Sequence, residues 1–147
     1  VPGMLAAGRG QVINVASFAG LAGAPGIMSY GVAKAGVVAL SEQLRAEVHG
    51  RGVRVAVVCP SFFRTNLTEN FRGSPKMLAV ANRLMDTARE SADDIAASVH
   101  RQAEAGTFLI LPTRAETLRL RLKRWFHEYY FRKLLQMAAG ATRTGAP

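Results

Sequence analysis

The stretch RGVRVAVVCPSFFRT, residues 51–65, decides how the chain is read. Val53–Val58 is a short apolar run, rich in valine, broken only by Arg54. It is entered from a glycine, closed by Pro60, and does not alternate between apolar and polar residues. Such a run reads as a strand covered on both faces, the condition of a strand in a parallel sheet.

Upstream, Gly50 and Gly52 end a helix over about 28–48, whose apolar spacing predicts one face of Val32, Ala35, Gly36, Ala39, Leu40, Gln43 and Leu44. The glycine-rich FAGLAGAPGI, residues 18–27, reads as a loop. Before it, Val12–Ala16 is a second buried strand after the turn Gly8–Gly10, and VPGMLAAGRG reads as a helix end running into that turn. Downstream, residues 61–90 read as a loop with short helical pieces. Ser91, Asp93 and Asp94 open a helix that Gly106 closes. TFLILP, 107–112, is a third strand; Thr113 to about Ala138 is a basic helix; Ala139–Pro147 reads as disordered.

Strands and helices alternate, so the fold class is α/β with parallel strands and two βαβ units. Three strands make a poor free-standing sheet, and the chain has no initiator Met. A missing first half of the sheet is therefore expected, the chain being a fragment. Residues 1–111 form the domain part and 112–147 a basic helical tail.

At 147 residues, 49% hydrophobic and 20% charged, the chain suits one globular unit. No apolar run is long enough to span a bilayer, and no signal peptide opens the chain. Its single cysteine, Cys59, excludes an internal disulfide and reads as a small buried hydrophobe; the setting expected is cytoplasmic. His49, His100 and His127 are scattered, with no metal-ligand spacing. Residues 1–111 hold 11 Lys/Arg against 8 Asp/Glu; residues 112–147 hold 8 against 2. Most of the +9 net charge thus sits in the tail.

In open α/β sheets the ligand sits beyond the carboxyl ends of the strands. Ser17, the pair Tyr30 and Lys34, and the segment 60–65 all fall there. Tyr30 and Lys34 are four residues apart, on one helix face. A tyrosine hydroxyl titrates near ~10, and a neighbouring ammonium favours its phenolate. Such a pair suits proton transfer at an alcohol or carbonyl oxygen, with a serine hydroxyl to hold that oxygen. The bland alternatives are a surface pair, a strand-end hydroxyl and, for Thr65, a helix N-cap.

Asn14-Val15-Ala16-Ser17, Tyr30-Gly31-Val32-Ala33-Lys34 and Pro60-Ser61-Phe62-Phe63-Arg64-Thr65, in that order and spacing, resemble the second half of a short-chain dehydrogenase/reductase. The resemblance covers about residues 1–111 and implies the C-terminal half of a Rossmann-like doubly wound parallel sheet, a fragment inactive by itself. It implies NAD or NADP as cofactor, with catalytic Ser17, Tyr30 and Lys34. It implies cofactor contacts from Tyr30, Lys34, Pro60, Phe63 and Thr65. Two positions depart from the pattern: Ala16 replaces the first of two serines, and Ser61 replaces a glycine. The family's glycine-rich dinucleotide turn and its catalytic asparagine are not found in these residues. The expected activity is hydride transfer between the cofactor and an apolar secondary alcohol or ketone. Leu67, Phe71, Met77, Leu78 and Leu84 would form an apolar lid. The helix 28–48, with Gly31, Ala35, Gly36 and Ala39, is the expected homo-dimer or homo-tetramer surface.

In the tail, Leu118, Leu122, Trp125 and Tyr129 form one predicted apolar stripe among basic residues. Such a helix, over 113–138, either lies on an anionic membrane surface or packs on its own domain or a partner; nucleic acid is not expected. The alternative function is a non-catalytic relative of the family that acts through this tail.

Overall fold

The computed structural model describes residues 1–65 and 75–143. Three parallel strands, β1 (Gly10–Val15), β2 (Val53–Val58) and β3 (Leu109–Ile110), lie in the order β1-β2-β3. Gly10 to Val15 pair in register with Val53 to Val58, and Val57 and Val58 with Leu109 and Ile110. The helices are α1 (Pro2–Ala6), α2 (Ala19–Ala22), α3 (Met28–Glu47), α4 (Pro75–Asp86), α5 (Ala92–Glu104), α6 (Arg114–Trp125) and α7 (His127–Arg143). The parallel α/β class expected from the strand–helix alternation is the one observed.

β2 explains its own lack of alternation. Ala56 and Val58 pack with Val99 and Ala103 of α5, beside Ile110. Val57 and Cys59 pack with Val37 and Val38 of α3, and Val53 and Val55 with Val48 and Leu44. Both faces are covered, so both must be apolar. β1 departs from that expectation: Ile13 is 40% and Val15 62% exposed, on one shared face of the sheet edge. β3 is shorter than the 107–112 read from sequence, although Val57 and Cys59 N–H extend the ladder to the carbonyls of Phe108 and Ile110.

Four further readings are corrected. The face of α3 turned to the sheet is Lys34, Val37, Val38, Ser41 and Leu44. The spacing had picked Val32 and Leu40, which are exposed. Both faces of α3 are apolar, so periodicity could not choose between them. The glycine loop holds a short helix, α2, seated on α3 because Gly20 has no side chain: a Cβ there would lie 2.7 Å from the Ala35 nitrogen. Residues 75–86 form a regular helix rather than short pieces. The tail is two helices broken at Phe126 (φ −131°, ψ 58°), and α7 runs on to Arg143, past the expected end of order. Of the expected lid, Leu67, Phe71 and the side chain of Met77 lie outside the described residues, Leu78 is half-buried and Leu84 is exposed.

Candidate active site

The strand ends bring the sequence motifs to one edge. β1 leads through the buried Ala16 into Ser17 and α2. The Ser17 hydroxyl accepts from the Ala19 N–H at 3.2 Å and donates to the Pro60 carbonyl at 3.5 Å. The Phe18 N–H donates to the same carbonyl at 2.9 Å. The exit of β1 is thus tied to the exit of β2. Cys59, just before Pro60, is fully buried; desolvation pushes its thiol up to about 11, against a smaller opposing bond from the Ser17 backbone. That thiol is inert packing, as expected of a small buried residue.

Tyr30 and Lys34 stand one turn apart in the first half of α3. The Lys34 ammonium donates to the Val15 carbonyl at 3.3 Å and lies 5.8 Å from the centre of the Tyr30 ring. It anchors two residues before Ser17, so Ser17 and the Tyr30–Lys34 pair meet at the end of β1. Gly20, packed on the backbone of Lys34 and Ala35, holds α2 and α3 together at this point. Tyr30 is 45% exposed. Pro60 joins the cluster through its carbonyl. Phe63 is half-buried and Thr65 exposed in the loop beyond it. Asn14 is tied away from the site, donating to the buried Ser41 hydroxyl at 2.9 Å.

An open, mostly apolar recess of about 330 Å³ is lined by Gly20, Ile27, Met28, Val32 and Lys123, with Ser17, Tyr30 and Lys34 outside its lining. A second recess of about 360 Å³ lies at the opposite end of the sheet, beside Arg45, His49 and Arg54, away from Ser17 and Tyr30. Among the described residues no group of His, Cys, Asp and Glu is placed to hold a metal ion.

The residues at the edge fit the nicotinamide end of a dinucleotide. An ammonium has three N–H donors, and the Val15 carbonyl engages one of them, which leaves donors for a ribose hydroxyl.

One residue of the site lay beyond sequence reading. Glu116, on α6, is 1% exposed. It accepts from the Ser61 N–H at 2.5 Å and from the Thr113 N–H at 2.8 Å. Burial holds its carboxyl above the usual range, against the lowering by these two backbone N–H groups. Thr113-x-x-Glu116 is legible as a capping box, but its bond to Ser61 is not, because a backbone N–H carries no sequence signature.

Residues 1–76, half of the chain, match the family described as short chain dehydrogenase, and the chain belongs to that family. It is 42% identical over 72 residues to a 3-oxoacyl-[acyl-carrier-protein] reductase of Synechocystis sp., covering 49% of this chain and 29% of that protein. It is 30% identical over 140 residues to the ketoacyl reductase HetN of Nostoc sp., covering 86% of this chain and 47% of that one. The fold matches a short chain dehydrogenase/reductase from Burkholderia phymatum, solved in complex with NAD, with a TM-score of 0.76 at 23% identity, covering 87% of this chain and 52% of the other. The chain therefore spans between 29% and 52% of the length of these proteins.

Proposed function

We propose that this chain supplies the proton-transfer half of an NAD- or NADP-dependent oxidoreductase acting on a secondary alcohol or ketone. The observation that supports the reading is the Lys34 bond to the Val15 carbonyl, two residues before Ser17, with the Tyr30 ring 5.8 Å from the same ammonium. The Tyr30 hydroxyl gives a proton to the carbonyl oxygen in reduction, or takes one from the alcohol in oxidation. The Ser17 hydroxyl holds the substrate oxygen in line. The nicotinamide, when bound, supplies or accepts the hydride. Lys34 and Tyr30 would hold its ribose, and Pro60, Phe63 and Thr65 would contact its carboxamide. The apolar recess and the two ketoacyl-reducing relatives make apolar 3-oxoacyl compounds the first substrates to assay.

The test is nicotinamide absorbance on a panel of ketones and alcohols, with the intact protein and Tyr30→Phe. Turnover falls by about 10²–10⁴-fold in the variant with cofactor binding kept. Equal turnover in the two proteins removes Tyr30 from the chemistry.

The exposed side of α3, with Val32 68% and Leu40 59% exposed, supports a homo-dimer or homo-tetramer built on that helix. A second reading concerns the tail; among the described residues no helix is long and apolar enough to cross a membrane. Leu118, Trp125, Phe126 and Phe131 are exposed beside Arg119, Arg121 and Arg124. This face suits an anionic membrane surface, and sedimentation with phosphatidylserine vesicles tests it. Pelleting that high salt and Trp125→Ser abolish supports the surface; no pelleting refutes it.

A further inference from the structure

α6 does more than close the chain over the domain. It places two polar side chains, Glu116 and Lys123, seven residues apart on its inward face. Glu116 accepts from the Ser61 N–H, and the Lys123 ammonium donates to the Leu21 carbonyl at 2.5 Å. One tail helix thus holds the loop after β2 and the segment after β1 together. Those are the two segments that carry Pro60 and Ser17.

The bond to Ser61 has a particular consequence. The Ser61 N–H and the Pro60 carbonyl are the two ends of one peptide unit. That carbonyl accepts from the Phe18 N–H at 2.9 Å and faces the Ser17 hydroxyl at 3.5 Å. A continuous line therefore runs from the Glu116 carboxylate, through the Pro60–Ser61 peptide, to Ser17. A carboxylate on the N–H polarises the peptide and makes its carbonyl a better acceptor. The Phe18 bond is short and fixes the backbone beside Ser17. The Ser17 bond is long, so the hydroxyl can leave it for a substrate oxygen at little cost.

Burying a carboxylate is costly unless hydrogen bonds repay it. A capping box needs no burial: the Thr113 N–H alone would satisfy it at the surface. We infer that Glu116 is a positioning residue for Ser17, acting through the Pro60–Ser61 peptide, with Lys123 as the second anchor of the same strap. The inference rests on the reading of Ser17 as a substrate-orienting group.

The test uses the intact protein with Glu116→Ala, Glu116→Gln and Lys123→Met. Amide exchange is followed at Ser61 and Phe18, and kcat, KM and the pH profile on the best ketone. In Glu116→Ala, exchange at both amides speeds up about tenfold or more while Val55 and Val57 keep their protection. kcat falls about 10- to 100-fold, the cost of a misplaced catalytic group. The apparent pKa values of the profile stay in place, because the proton still passes through Tyr30. Glu116→Gln keeps one oxygen acceptor but loses the charge on the Ser61 N–H, so its kcat and exchange fall clearly between those of Glu116→Ala and the wild type. Lys123→Met weakens protection at Phe18 more than at Ser61.

Unchanged exchange at Ser61 and Phe18 in Glu116→Ala overturns the inference, as does faster exchange with kcat and KM unaltered. Should Glu116→Ala fail to fold, Glu116→Gln decides: wild-type kcat and exchange overturn the positioning role, and a fall in both sustains it. If the unaltered protein turns over no substrate, the oxidoreductase reading fails separately, and exchange at Ser61 and Phe18 alone decides the strap.

Discussion

Two helices of this chain open on the same device and put it to different use. Ser91 and Asp94 cap α5; Thr113 and Glu116 cap α6. In each, the first side chain accepts from the backbone N–H three residues on, and the acid reaches back to the first N–H. The α5 box lies at the surface and bonds only itself: the Ser91 N–H and hydroxyl both donate to one Asp94 oxygen, at 2.9 and 2.7 Å. The α6 box is buried, and its acid has a second partner 55 residues away in sequence. A surface box sets where a helix begins. A buried one also sets what that helix is fastened to.

The largest difference between the boxes should appear on truncation. Glu116→Ala leaves the Ser61 and Thr113 N–H groups without a partner in a buried place, and costs about 2–4 kcal/mol. Ser91→Ala removes a surface cap and costs about 1 kcal/mol. Urea unfolding of the two variants checks the order. Equal costs would mean that the Ser61 bond adds nothing to the α6 box.

The second difference is a matter of sign. Bonds from the Ser91 hydroxyl, then its N–H, hold the Asp94 carboxyl below its ordinary 3.8. Its contribution to stability is complete above that value and is lost as pH falls through the lower folded one. Burial holds Glu116 above its ordinary 4.5, with nearby Glu90 adding in the same direction. Its contribution is present below 4.5 and is lost as pH rises through the higher folded value. Stability of the wild type minus that of Glu116→Gln should therefore fall as pH rises above 4.5. The wild type minus Asp94→Asn should instead rise as pH climbs toward 3.8. Chemical unfolding across this range reads both slopes, and slopes of one sign would erase the contrast.

The pair also shows what a sequence can carry. The two boxes look alike in one dimension, since nothing in Thr113-x-x-Glu116 says that the acid will be buried. β2 was legible because a strand covered on both faces must be apolar throughout. Ser17, Tyr30, Lys34 and Pro60 were legible because their spacing reflects strand ends and a helix turn. The inward face of α3 was not, because Val32 and Leu40 compete with Val37 and Val38 as an apolar stripe. The tail misled for a related reason. Of its predicted stripe, Leu118, Trp125 and Tyr129 are exposed and Leu122 is half-buried, while Glu116 and Lys123 turn toward the domain. Polar anchors on an inward face look, in sequence, like a solvated face.

The smallest effect reverses the order of the first. In the α5 box the hydroxyl is central: Ser91 Oγ accepts from the Asp94 N–H at 3.2 Å and donates to its carboxylate. In the α6 box the hydroxyl is peripheral: Thr113 Oγ1 accepts from the Glu116 N–H at a long 3.4 Å, while the carboxylate makes the two shorter bonds. Thr113→Ala should then cost only a few tenths of a kcal/mol, less than Ser91→Ala, because a bond at that length is weak. It should also leave amide exchange at Ser61 unchanged. If Thr113→Ala costs as much as Glu116→Ala, the α6 box works as one unit with its cap. The Ser61 bond would then depend on the capping hydroxyl rather than on the buried acid alone.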